Sequence, residues 1–219
     1  MAASVLAACP DDGDTSTTTT SSSSVTPPSC MLPFLGDETK DPEIELFYNG
    51  ADLLDHPLAD GGTIDIIEPP QGGRVLFVGV RAINVDPCGV TLTGALRDPG
   101  TMQVRFDTRN LNLIDDGSGY GRSVTGDIAS YSNVPVCHNT WTDLDIYDTT
   151  FTLEVTLKDQ RQRQTQKTIS VVPICAEPDK AVQCECICDG DYVLGDVCGA
   201  GGGGQGGGDQ GGGGQGGGA

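Results

Sequence analysis

Cysteine is the residue type with the widest chemical scope in this chain. Cys30, Cys88, Cys137, Cys175, Cys184, Cys186, Cys188 and Cys198 spread from near the start to near the end. Three of the last four stand one residue apart, in Cys184-Glu185-Cys186-Ile187-Cys188. Two chemistries suit such a cluster. Zinc takes four thiolates, but structural zinc sites separate paired ligands by roughly two to four residues. Disulfides need an even number of thiols and an oxidising compartment. The tight spacing favours disulfides, with calcium or zinc binding kept as an alternative. Cys88 and Cys137 lie near inferred strand ends and are expected to pair. Cys30 and Cys175 bracket the middle of the chain and are expected to staple its ends.

Other reactive groups are sparse. The two histidines are His56, before a proline, and His138, after Cys137. Histidine is the usual proton shuttle near neutral pH, yet both read as surface loop residues. No nucleophile elbow, phosphate loop or zinc-protease run occurs. Asp116-Gly117-Ser118-Gly119-Tyr120-Gly121 has the glycines of a phosphate cradle but no lysine to meet the phosphate, and it reads as a hairpin loop. Carboxylate pairs recur at Asp143 and Asp145, Asp115 and Asp116, and Asp189 and Asp191. None has calcium-loop spacing. The expectation is therefore a protein without catalytic residues or cofactor. An enzyme lacking any recognisable motif stays as an alternative, whose sign would be a pocket bringing His138 to Asp143 or Asp145.

One cluster of charge stands out. Lys158, Arg161, Arg163 and Lys167 alternate with glutamines in a chain of net charge −19. Such a loop could meet a protein or glycan partner. Charge at a hairpin tip also resists edge pairing.

The start of the chain holds a different signal. Leu6-Ala7-Ala8-Cys9 resembles the bacterial lipobox, which implies acylation of Cys9 and export through a signal peptide. Such a peptide needs basic residues and roughly 7–15 apolar ones. Met1–Ala8 has no Lys or Arg, so the start codon is expected upstream, or the N-terminus has been trimmed. From Asp11 to Ser29 the chain is acidic, then rich in Thr and Ser, with no apolar area to bury. It resembles the tether of surface lipoproteins. Pro10 stands where lipoproteins kept at the inner membrane have Asp, which points to the outer membrane. With Cys9 reserved for lipid, the remaining cysteines are even in number.

The acidic balance argues against nucleic acid, whose binding rests on neutralising phosphates. No apolar run nears the roughly 18 residues of a spanning helix, so the membrane is expected to be a partner only through the acyl anchor.

Between the low-complexity ends, period-two alternation dominates. Ile44, Leu46 and Tyr48 alternate with other residues, as do Val90 and Leu92, and Met102, Val104 and Phe106. Leu144 with Ile146, and Ile169 with Val171, read the same way, and Phe151, Leu153, Val155 and Leu157 do so most clearly. Each run implies a strand with one apolar face. The run Arg74–Val85 is apolar on both faces and reads as a central strand. Asp98-Pro99-Gly100 presets a tight reversal. No helical stripe is evident. Many short strands with regular turns imply an all-β antiparallel sandwich.

Phe151–Pro173 resembles the last hairpin of bacterial immunoglobulin-like domains, which implies an immunoglobulin-like sandwich with Trp141 as its buried aromatic. Cys186–Cys198 resembles the second half of an epidermal-growth-factor-like module, with Asp191 where that family has Gly or Pro. The organisation expected is a signal remnant with lipobox (1–9), a disordered tether (10–40), the sandwich (41–176), a Cys-rich disulfide segment (177–198) and a disordered Gly-rich tail (199–219). The function expected is a non-catalytic, lipid-anchored envelope protein displaying a binding or structural module.

Overall fold

The computed structural model describes residues 30–199. The lipobox with Cys9, the tether through residue 29 and the tail from residue 200 lie outside the described residues. In chain order the strands are β1 (Glu43–Asn49), β2 (Asp55–Pro57), β3 (Gly62–Asp65), β4 (Arg74–Ile83), β5 (Val90–Arg97), β6 (Val104–Leu111), β7 (Ile114–Asp115), β8 (Gly121–Arg122), β9 (Ser132–Cys137), β10 (Phe151–Lys158) and β11 (Gln164–Ile174). One helix follows, α1 (Ala181–Cys188). The strands form two sheets. The first runs β2-β1-β4-β8-β7 with β9 also on β4, and the second runs β3-β11-β10-β5-β6. All pairs are antiparallel except β3 with β11. β4 between β1 and β9 answers to strands A, B and E of an immunoglobulin-like sandwich. β10 between β5 and β11 answers to F between C and G.

β4 is the spine because both its faces are apolar. Leu76, Val78 and Val80 face the second sheet and pack in one cluster with Leu92, Leu96, Leu153 and Val155. Val75 and Phe77, on the other face, form a smaller cluster with Phe47, Ile67 and Tyr131. Gly79 lets that outer cluster close: a Cβ there would lie 2.4 Å from Phe47 and 2.9 Å from Tyr131. Trp141 is buried in the main cluster against Phe151, ring centroids 5.8 Å apart, and its indole N–H donates to Val136 O. Neither β4 nor β10 carries a cysteine, so apolar packing alone joins the sheets there.

β6 departs from the sequence pattern. Met102, Val104 and Phe106, expected to face the core, are exposed. Their polar neighbours Arg105, Asp107 and Arg109 point inward, opposite Leu96, Gly94 and Leu92 of β5. The reason is register. The Asp98 carboxylate accepts from Gly100 and Thr101 N–H, and Asp98 N–H donates to Gln103 O, which sets Arg97 opposite Val104. A one-residue slip would reverse every side chain. The inward polar groups are satisfied. Arg109 pairs with Asp107 at 2.7 Å, and the same carboxylate accepts from Asn133 N–H. Arg105 donates to Thr140 Oγ1 and lies over the Trp141 ring. Leu144 and Ile146 form no strand. Ile146 instead plugs the core from a loop whose N–H is taken up by Cys188 O.

Four disulfides brace the sandwich, and the pairing differs from expectation. Cys88 bonds Cys30 rather than Cys137, and Cys175 bonds Cys184 rather than Cys30. Cys137 bonds Cys188, and Cys186 bonds Cys198. The bridges follow three-dimensional neighbourhood, which places α1 beside the end of β9. Cys184, Ile187 and Cys188 are the buried stripe of that helix, and they belong to the main core. The Cys-rich segment is thus a cap on the sandwich. Asn139, itself buried, secures it by donating to Leu144 O and Asp189 O, while its N–H donates to Ile187 O. At the other end, residues before 41 also pack on the sandwich. Leu35 is buried and bridges Val85, just after the Cys30–Cys88 bond.

Candidate functional site

The outward face of β6, β5, β10 and β11 is an ordered array of side chains, because four long strands pair there without a bulge. Across the strands, Thr108, Thr93, Thr156 and Gln166 make one row. Phe106, Ala95, Glu154 and Thr168 make the next, and Asn110, Thr91, Lys158 and Gln164 flank the first on its other side. Thr93 and Thr108 share a hydrogen bond of 2.9 Å, and Thr91 donates to Asn110 at 2.9 Å. Thr156, Thr168, Gln164 and Gln166 make no side-chain hydrogen bond among the described residues. The carboxylate of Glu154 is held bidentately by Arg97, both bonds 3.0 Å. That bond keeps the Glu154 carboxyl below its ordinary range. Phe106 is 60% exposed, across from the small Ala95.

The basic hairpin is divided by the fold. Arg161 pairs with Glu38 at 2.9 Å and with Asp86 at 3.4 Å. Arg163 donates to Lys40 O, and both guanidinium groups lie over the Phe34 ring. These two arginines hold down the segment that precedes β1. Lys158 stands on the outward face opposite Gln164, whereas Lys167 shares the inward side with Val155. The four cations therefore do not form one patch.

The remaining candidates are dispersed. His56 shares its Nε2 with the Asp52 carboxylate at 2.9 Å, and this hydrogen bond holds the Asp52 carboxyl low. His138 stacks on Tyr192, centroids 5.5 Å apart, and lines a hollow with Arg105 and Pro135. Asp143 lines a separate hollow with Trp141 and Thr142. Asp145 accepts from Gly190 N–H. The fold thus brings neither aspartate into a shared pocket with His138. Asp116 accepts from Ser118 and then from Arg81, which together hold its carboxyl well below the usual range. Among the described residues, Cys175, Cys184 and Cys188 are the one group of three or more metal-type donors that converges, and their sulfurs are bonded in disulfides.

Asp98 makes acid stability measurable. Burial pushes its carboxyl up, but hydrogen bonds from Thr142, Thr101 and Gly100 outweigh that, and the balance lies below the ordinary value. Glu68 is lowered by Lys180 in the same sense. A carboxyl lowered in the fold stabilises it fully above the unfolded pKa of about 4 and loses that effect as pH falls through the folded value. The urea midpoint should hold from pH 7 to about 5 and drop below about 4. In Asp98→Asn part of the loss should already be present at pH 7, with a shallower acid limb. An unchanged midpoint at pH 7 together with an unchanged acid limb in that variant would contradict the assignment.

Fold and bridges together define the class: an immunoglobulin-like, all-β sandwich braced by four disulfides, and so a protein of an oxidising, extracytoplasmic compartment. No helix among the described residues is long and apolar enough to cross a membrane. No protein family, curated protein or solved structure matches this chain.

Proposed function

We propose that this chain is a non-catalytic lipoprotein of the bacterial envelope, acylated on Cys9 and displaying its sandwich as a binding module from the outer membrane. The observation that carries this reading is the completeness of the bridges. The eight cysteines after Cys9 pair among themselves, which supports reserving Cys9 for the lipid that Leu6-Ala7-Ala8-Cys9 calls for. Two or more acyl chains hold a protein stably at a bilayer, whereas one does not. The composition of residues 10–29 suits a spacer between anchor and domain. Confinement to a surface then raises the effective concentration of the module toward neighbours within reach.

Mass spectrometry of the N-terminal peptide from native membranes tests this reading. The expected peptide begins at Cys9 and carries acyl mass, and Cys9→Ser should leave the chain unacylated and released from membranes. A wild-type peptide that is unmodified and retains residues before Cys9 would overturn it.

A further inference from the structure

In β6 the apolar pattern runs backwards. Exposing Phe106 and Val104 while turning Arg105, Asp107 and Arg109 inward is unfavourable for a strand serving only the fold. Departures of this kind concentrate where function is carried. The inverted strand borders a surface unlike the rest of the molecule. The chain has net charge −19, yet on the rows between Asn110 and Thr168 the one carboxylate, Glu154, is neutralised by Arg97. What remains is hydroxyls, amides, Lys158 and one open phenyl ring.

We infer that this outward face binds an uncharged polysaccharide in extended form. The inference names the ligand class of the module proposed above and rests on that reading. Three features point to the ligand. First, the face is regular, four strands paired without a bulge, with strands about 4.8 Å apart and outward side chains about 6.7 Å apart along each strand, so its three rows span roughly 14 by 13 Å, room for a short run of sugar rings. Second, Thr156, Thr168, Gln164 and Gln166 have side-chain donors and acceptors unused among the described residues. Hydroxyls and amides both give and take hydrogen bonds, as sugar hydroxyls do. Third, Phe106 supplies an apolar ring beside them, against which the C–H face of a pyranose can pack. Charge decides against the competing ligands. An anionic glycan would meet the field of a strongly acidic protein, and a basic peptide would find no free carboxylate on this face. A neutral chain meets neither penalty.

The test is affinity electrophoresis of the full chain bearing Cys9→Ser, with hydroxyethyl cellulose, soluble starch and galactomannan as neutral probes and alginate as the anionic one. At least one neutral polymer should retard the protein, and alginate should not. Phe106→Ala should weaken retention about threefold to tenfold, and Thr93→Glu, which sets a carboxylate in the middle of the face, should abolish it. Val193→Ala, exposed elsewhere, should leave it intact. Circular dichroism confirms that each variant is folded. Absence of retardation by every neutral polymer, retention by alginate alone, or retention that survives both face variants would each overturn the inference. So would dimerisation in sedimentation runs that Phe106→Ala removes, because a second copy would then be the occupant. These outcomes are independent of acylation: loss of the anchor with retention on glycan defeats the lipoprotein reading alone, and the reverse defeats this one.

Discussion

Arg74→Ala should remove about 3–5 kcal/mol of stability, the range for breaking a buried ion pair from one side. Arg74 opens β4, and its side chain is 1% exposed. One guanidinium nitrogen bonds Glu177, and the other lies 3.7 Å from Glu68 without a hydrogen bond of its own. Glu177 also accepts from Glu68 N–H at 2.8 Å, and Lys180 reaches both carboxylates at 3.0 Å. The cluster therefore ties the start of the central strand to the turn between β11 and α1. With the guanidinium gone, two carboxylates share one half-exposed lysine, and a cavity remains where the arginine stem lay. The pair need not be net stabilising, because an apolar pair of similar volume often does as well. Arg74→Met with Glu177→Leu should accordingly recover most of what Arg74→Ala loses. Urea denaturation of the single and double variants at pH 7 is the measurement. A loss under about 1 kcal/mol in Arg74→Ala would mean that the charge is solvated in the native state.

Which features could be read from sequence follows from how local their causes are. β4 was legible because Leu76, Val78 and Val80 alternate with Val75, Phe77 and Gly79, so no choice of register could leave one face wet. The Asp98-Pro99-Gly100 reversal was legible because its chemistry lies within five residues, the Asp98 carboxylate capping the N–H groups that follow it. The β10–β11 hairpin follows the same logic. The facing of β6 is not legible in its own residues, because it depends on its partner β5 and on lying at the sheet edge, where polar side chains can reach β9. Helix α1 is hidden in the sequence because Cys184 and Cys188 signal redox chemistry before they signal a helical face. With Ile187 they are an apolar stripe at helical spacing. Arg161 and Arg163 looked free in sequence, but their partners Glu38 and Lys40 lie 123 residues away. The outward face was half legible. Its threonines marked wet strand positions, but only the pairing register aligns them across four strands and sets Phe106 among them.

Removing the Cys137–Cys188 bridge should have an effect of similar size, and its cause is different. The bond closes a span of 51 residues, for which loop-closure entropy assigns about 4 kcal/mol. Cys137→Ala with Cys188→Ala leaves the packing nearly intact, so the loss arises mainly in the unfolded chain. For a domain of this size, the melting temperature should fall by about 8–16 °C. The bridge also meets a second one: Cys188 Sγ lies 4.0 Å from Cys184 Sγ, whose own bond runs to Cys175 at the end of β11. Together they pin α1 to both sheets, through β9 in one and β11 in the other. Cys186–Cys198 instead closes a span of 12 residues over exposed chain. Its removal should free the segment after α1 and lower the global melting temperature less, about 3 kcal/mol being the upper bound from loop closure. Calorimetry orders the two variants, and limited proteolysis locates the loosened part. If Cys186→Ala with Cys198→Ala melts lower than Cys137→Ala with Cys188→Ala, the cap is held chiefly by its own local bridge, and its docking on the core through Ile187 and Asn139 contributes little.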